Sequence, residues 1–162
     1  MKVRADMKTN VCCFFGHRTI DETGDLKKKL IEAIEKLIVD EKADTFLFGS
    51  KSRFNDLCLE IVTILKEKYP HIKRIYVRAE YPVIDDGYKS YLLKNFEDTY
   101  YPVKLNGAGK AVYVERNIEM IRSSCFCIVY YNRAFMPDGR KSGTKIAMDY
   151  AVKHGKRIIN IF

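Results

Sequence analysis

Val11-Cys12-Cys13-Phe14-Phe15-Gly16-His17-Arg18 is the stretch that decides the fold. Its apolar residues run without alternation and stop at a glycine, the pattern of a strand covered on both faces. From Asp25 to Asp40 the period changes. Leu26, Leu30, Ile34, Leu37 and Ile38 recur every three or four residues among lysines and glutamates, which predicts an amphipathic helix with Asp21 or Thr23 as its cap. The same pair of patterns then repeats. Thr45-Phe46-Leu47-Phe48 reads as a second buried strand, ended by Gly49-Ser50. Phe54 to Tyr69 reads as a second helix with Leu57, Ile61, Ile64 and Leu65 inward, and Pro70 forbids its continuation. A third strand is expected over Ile72 to Ala79.

Residues 80–112 are rich in tyrosine and hold Gly107-Ala108-Gly109; irregular structure is expected there, with one short helix near Tyr88 to Phe96. Periodicity returns in a helix over Tyr113 to Ser123, a strand over Phe126 to Tyr131 and a loop over 132–142. A helix then runs from Gly143 or Thr144 to His154, with Gly155 as its C′ residue, and Arg157 to Phe162 form the last strand. Alternation of this kind implies parallel strands joined by right-handed crossovers. The expected architecture is therefore α/β: a Rossmann-like, doubly wound, mainly parallel sheet with helices on both faces. Residues 11–162 form one domain in this reading, and 1–10 a polar N-terminal arm in which Met1 and Met7 are both open as the start.

Of the 162 residues 47% are hydrophobic and 31% charged, which excludes a disordered or collagen-like chain. No apolar run approaches the ~20 residues of a membrane span. The first residues lack an apolar signal core, so a cytoplasmic protein is expected. The five cysteines, Cys12, Cys13, Cys58, Cys125 and Cys127, are odd in number and form no CxxC. They read as small buried hydrophobes in a reducing compartment, and no metal or cofactor is expected. Lys and Arg number 29 against 21 Asp and Glu, a net charge of +8. That surplus suits an anionic partner, although it also serves ordinary solubility.

Parallel sheets bind ligands outside the carboxyl ends of their strands, where strand order reverses. The search narrows to the loops 16–18, 49–53, 80–84 and 131–144. Gly16, His17 and Arg18 offer close backbone approach, an imidazole and a guanidinium. Gly49, Ser50, Lys51 and Arg53 precede a helix whose first turn carries Asp56. Arg116 and Asn117 lie on the later helix, and Tyr131 or Tyr81 is an aromatic near the rim. Ser142, Gly143 and Thr144 form a second small turn at a helix start, where unpaired N–H groups and a partial positive charge favour phosphate. Singly, these are also turn glycines, caps and solvated cations. Their shared rim makes a phosphorylated ligand the simplest common explanation. Neither GxGxxG nor GxxxxGK[ST] occurs, which disfavours a dinucleotide fold of the usual fingerprint and a P-loop NTPase.

These residues carry a family resemblance over nearly the whole chain. Cys12-Cys13-Phe14-Phe15-Gly16-His17-Arg18 resembles the "CCFTGHR" opening of the YpsA- and YoqJ-like bacterial and phage proteins of the SLOG superfamily. Phe48 to Asp56 resembles their "GGAxGFDxxA" loosely. Arg116-Asn117-Ile118-Glu119-Met120 resembles "RNxxM", and Ser142-Gly143-Thr144 through Tyr150-Ala151 resembles "GGTxxAxxYA". The resemblance implies a Rossmann-like sheet that binds nucleotides or nucleotide-derived ligands. Its Lonely Guy branch cleaves the base from nucleoside monophosphates, and its DNA-processing protein A branch binds single-stranded DNA. The "ERKxxM" motif of the Lonely Guy branch matches Glu115 to Met120 and would make Arg116 catalytic. The "PGGxGTxxE" motif matches poorly, with Ala147 where the glutamate would be and Asp56 or Glu80 as substitutes from other loops.

The expected function is binding or sensing of a phosphorylated nucleotide or nucleotide-derived small molecule at the carboxyl edge of the sheet. The alternative is an N-glycosidic hydrolase of nucleoside monophosphates or dinucleotides, and the third is single-stranded nucleic-acid binding. No membrane partner is expected. By analogy with the superfamily a homodimer is a further expectation, with its contact in 81–113.

Overall fold

The computed structural model describes residues 10–102, 105, 107, 109–134 and 142–162. The N-terminal arm apart from Asn10, the choice between Met1 and Met7, and most of the 132–142 loop lie outside the described residues. Among the described residues eleven elements alternate: β1 (Val11–Gly16), α1 (Gly24–Asp40), β2 (Thr45–Phe48), α2 (Arg53–Lys68), β3 (Lys73–Val77), α3 (Asp86–Leu92), β4 (Asp98–Tyr100), α4 (Ala111–Arg122), β5 (Phe126–Tyr130), α5 (Gly143–Lys153) and β6 (Arg157–Asn160). The six strands form one sheet in the order β4-β3-β2-β1-β5-β6. Every pairing is parallel.

Two apolar layers sandwich the sheet, and β1 shows how a strand of period two feeds both. Cys12 and Phe14 point into one layer with Leu30 and Ile34 of α1 and with Leu57 and Val62 of α2. Cys13 and Phe15 point into the other with Met120 and Ile121 of α4 and with Ala147 and Ala151 of α5. The Phe14 ring stacks on Phe46 at 6.1 Å and on Phe48 at 5.1 Å. Burying each such side chain contributes about 1.5–3 kcal/mol, which fixes the strand register through its two faces.

The helices begin where their caps allow. Thr23 accepts from the Leu26 amide and starts α1, so of the two expected caps it is Thr23 that acts. Ser52 does the same for α2 through the Asn55 amide. Ile64, expected inward, is exposed; Phe54, Cys58 and Val62 complete the buried face of α2 instead. Gly155 ends α5 with φ +69, as its C′ position requires. The stretch expected to be irregular holds the largest difference. It contains the short edge strand β4, paired with β3 from Ile75↔Asp98 to Val77↔Tyr100. The short helix there starts at Asp86, because the Asp85 carboxylate caps it through the Tyr88 amide at 2.7 Å. Among the described residues no helix is long and apolar enough to cross a membrane.

Candidate ligand-binding cleft

Strand order reverses between β1 and β5, so the loops leaving these strands diverge and leave room above the sheet. A cleft of about 1450 Å³ opens there, over the carboxyl ends of β1, β2 and β3. Its walls come from Gly16 to Thr19, Gly49 to Ser52, Arg78 to Tyr81, the α4 residues Tyr113, Arg116 and Asn117, and Ser142 to Thr144. A smaller hollow of about 600 Å³ adjoins it, shares Arg18 and Gly49 to Ser52, and reaches Arg53 and Asp56.

Arg116 is, with Arg78, one of the two buried cations among the described lining residues. It is 4% exposed, yet its side chain lines the cleft. Nη1 donates to the carbonyl of Val77 at 3.2 Å and Nε donates to Asn117 Oδ1 at 2.9 Å, which the Ser50 hydroxyl also approaches at 3.4 Å. Burial lowers its pKa from the usual arginine value. Among the described residues no carboxylate forms an ion pair with it. A desolvated cation with an incomplete set of partners gains from an anion in the cleft.

His17 closes the point where strand order reverses. Its Nε2 accepts from the backbone N–H of Asn132 at 2.9 Å, tying the end of β1 to the end of β5. Its ring lies between Tyr130 and Tyr131, at 6.1 and 5.7 Å. Burial lowers the imidazole pKa from 6.5, so the neutral form prevails at pH 7 with its proton on Nδ1.

Two helix starts face the cleft. Ser52 and Ser142 each cap a helix, the latter through the Lys145 amide at 3.0 Å. Their hydroxyls are engaged by the chain itself, which leaves first-turn amides such as those of Gly143 and Thr144 for another acceptor. Arg53 N donates to the Arg18 carbonyl at 3.0 Å and Asn55 Nδ2 to the Phe14 carbonyl at 3.1 Å, so the start of α2 is tied to β1 and to the loop that follows it.

Charge in the cleft is one-sided. Among the described lining residues Arg18, Lys51, Arg78 and Arg116 are cationic, and Glu80 is the one carboxylate. Glu80 bonds the Tyr113 hydroxyl and thereby raises that phenol's pKa. Tyr76, Tyr81, Tyr88 and Tyr91 give the cleft a wall of tyrosines, and Tyr113 of α4 is also in its lining.

Of the residues singled out in the sequence, Gly16, His17, Arg18, Gly49, Ser50, Lys51, Arg116, Asn117, Ser142, Gly143 and Thr144 share the main cleft. Arg53 and Asp56 line the side hollow, and Arg53 is occupied in ion pairs with Glu22 and Glu60. Tyr131 does not reach the cleft. Its ring is buried in the layer under α4 and α5, with the Lys145 ammonium 5.9 Å from its centroid. Ala147 is likewise packed in that layer, so no carboxylate stands at the glutamate position of the phosphoribohydrolase motif. Sequence reading missed Arg78, Tyr76, Tyr88, Tyr91 and Tyr113. The tyrosine density of 81–113 was the available signal, and the unrecognised cap at Asp85 hid how it is arranged.

No family model matches the chain. It is 29% identical over 150 residues to the uncharacterised SPbeta prophage-derived protein YoqJ of Bacillus subtilis (strain 168), covering 79% of this chain and 81% of the relative. Among solved structures it superposes on the DNA processing protein A of Helicobacter pylori with a TM-score of 0.56 at 16% identity, over 96% of this chain and 67% of that one. That structure concerns a single-stranded DNA binding mode. At this identity the match establishes a shared Rossmann-like fold, and the two relatives agree with the resemblance carried by the motifs.

Proposed function

We propose that this YoqJ-like chain binds a phosphorylated nucleotide or nucleotide-derived molecule in the cleft above β1, β2 and β3. The observation that carries the reading is Arg116, a buried guanidinium that faces the cleft with no ion-pair partner among the described residues. The phosphate sits against Arg116 and the first-turn amides of Gly143 and Thr144, with Ser50 and Lys51 at the ribose or a second phosphate. His17 and Arg18 complete the polar rim.

The test is calorimetric titration of the protein with AMP, ADP and short adenine oligonucleotides, repeated on Arg116→Gln. The expected result is saturable binding that weakens at least tenfold in the variant while the fold, read by circular dichroism, is kept. Equal affinity in both proteins overturns the assignment. Release of free adenine from AMP, lost in Glu80→Gln, would convert binding into hydrolysis.

A second reading, single-stranded DNA binding, is favoured by the +8 net charge and by the shared fold with a protein studied for that activity. Its signature is an affinity that falls with salt by a log–log slope of about −0.7 for each phosphate neutralised. A slope near −1 or shallower confines the contact to one or two phosphates and returns the small-molecule reading.

A further inference from the structure

The geometry points to a base-stacking subsite on the tyrosine wall of the cleft, sized for a ligand of two nucleotide units. Resting on the nucleotide reading above, it names a part of the ligand that Arg116 does not touch. Tyr81 and Tyr88 meet edge to face at 6.1 Å and 78°, and Tyr88 lies nearly parallel to Tyr91 at 6.2 Å and 18°. Tyr81 and Tyr91 remain 58% and 62% exposed, so this ring cluster is not a piece of the core.

The cluster is also held in place at a cost. Tyr81 has φ +61, a left-handed conformation disfavoured for an aromatic residue. Such strain persists only where the surroundings impose it. Here Arg78 imposes it. Its guanidinium is buried, donating from Nε to the Tyr81 carbonyl at 3.1 Å, from Nη2 to the Pro82 carbonyl at 3.4 Å and from Nη1 to Thr99 Oγ1 at 3.0 Å. The Asp85 cap fixes the backbone under Tyr88 from the other side. Exposed aromatic faces, pinned beside a cationic cleft, have the features of a platform for an unstacked base.

Size sets the ligand. The cleft's 1450 Å³ exceeds the ~300–1,000 Å³ typical of clefts for drug-sized molecules. That volume leaves room for a second nucleotide unit beside one phosphate at Arg116 and one base on the tyrosines. A free dinucleotide and two residues of a longer strand share this chemistry.

The probes are 5′-phosphorylated d(ApA), the same molecule with an abasic second residue, AMP, and dA10, each titrated calorimetrically. Wild-type protein is expected to bind d(ApA) about fivefold to a hundredfold more tightly than the abasic analogue, the range for one stacked base. It is also expected to bind d(ApA) more tightly than AMP. In Tyr88→Leu/Tyr91→Leu the two dinucleotides become equal, while Arg116→Gln weakens both. Equal binding of both dinucleotides by wild-type protein, or AMP binding as tightly as d(ApA), overturns the subsite; if Arg116→Gln still weakens them, the nucleotide reading survives. No binding of any probe overturns both. Since the abasic comparison is made on wild-type protein, it holds even if the double variant misfolds. With the subsite supported, a gain of a hundredfold or more from d(ApA) to dA10, well beyond the roughly ninefold that its nine ApA registers give by counting, assigns a strand, and a gain within that factor assigns a free dinucleotide.

Discussion

A Cβ placed on Gly49 would stand 2.9 Å from Nη1 of Arg116 and 2.9 Å from the Val77 carbonyl oxygen, the acceptor of that same Nη1. The missing side chain is thus what lets the guanidinium lie under the β2 loop. Gly49→Ala is expected to displace Arg116 and weaken AMP or d(ApA) binding at least tenfold, with about 1–3 kcal/mol lost to overpacking. Gly24→Ala is the control, since nothing lies within 4 Å of its added carbon. It should leave binding unchanged and keep or raise the melting temperature. Unaltered binding in Gly49→Ala would show that Arg116 does not depend on this contact.

Gly16 answers to Phe54 in the same way. An added Cβ would come within 2.4 Å of the ring of Phe54, a side chain with no exposure and so no room to retreat. Gly16→Ala is expected to lower stability in denaturant titration by about 1–3 kcal/mol or more. Combining it with Phe54→Leu should cost less than the sum of the two single changes, because the smaller side chain vacates the contested space. Strict additivity would count against the contact.

Acidification is expected to act first through His17. Its folded-state pKa lies below the usual 6.5, so the stability contributed by the neutral imidazole is present above 6.5 and is lost as pH falls through the lower folded value. Protonated Nε2 would become a donor facing the Asn132 donor. Between pH 7 and pH 5 the wild-type melting temperature should therefore drop further than that of His17→Gln. Glu22, Glu35 and Glu97, whose pKa values are lowered below 4.5 with bonds to Arg53, Lys68 and Arg74 contributing, act at lower pH and leave this window clear. Parallel pH curves for the two proteins would remove His17 from the account.

Thiol labelling checks the reading of the cysteines. Cys12, Cys13, Cys58 and Cys127 have no exposure, and burial pushes the thiols of Cys12, Cys13 and Cys58 well above the usual range. Cys125 is half-buried. An aromatic disulfide reagent should label Cys125 in the folded protein and the other four only on unfolding. Fast labelling of Cys13 or Cys127 would show that the sheet opens locally between β1 and β5.

The strands and long helices were legible because burial on two faces writes itself as unbroken apolar runs and burial on one face as a period of 3.6. Strand β4 escaped because a three-residue edge strand, Asp98–Tyr100, carries neither pattern. Ile64 was misplaced because an apolar residue beside the helix face has the same spacing as one on it. The rim loops could be located, since glycine after a strand marks where the chain turns over the sheet. What could not be read was depth. Arg116 sits among charged neighbours on α4, and its burial follows from Gly49 and Val77, which are distant in sequence. Tyr131 opens a rim loop but directly follows the buried strand β5, and its ring joins the same layer as Cys127 and Val129.

The row of phenol rings along the cleft also gives the protein an optical property. The chain has eleven tyrosines and no tryptophan, and five of those tyrosines, Tyr76, Tyr81, Tyr88, Tyr91 and Tyr113, border the cleft. Its intrinsic near-ultraviolet emission therefore comes in large part from one place, and occupancy of that place can be followed by light without attaching a dye.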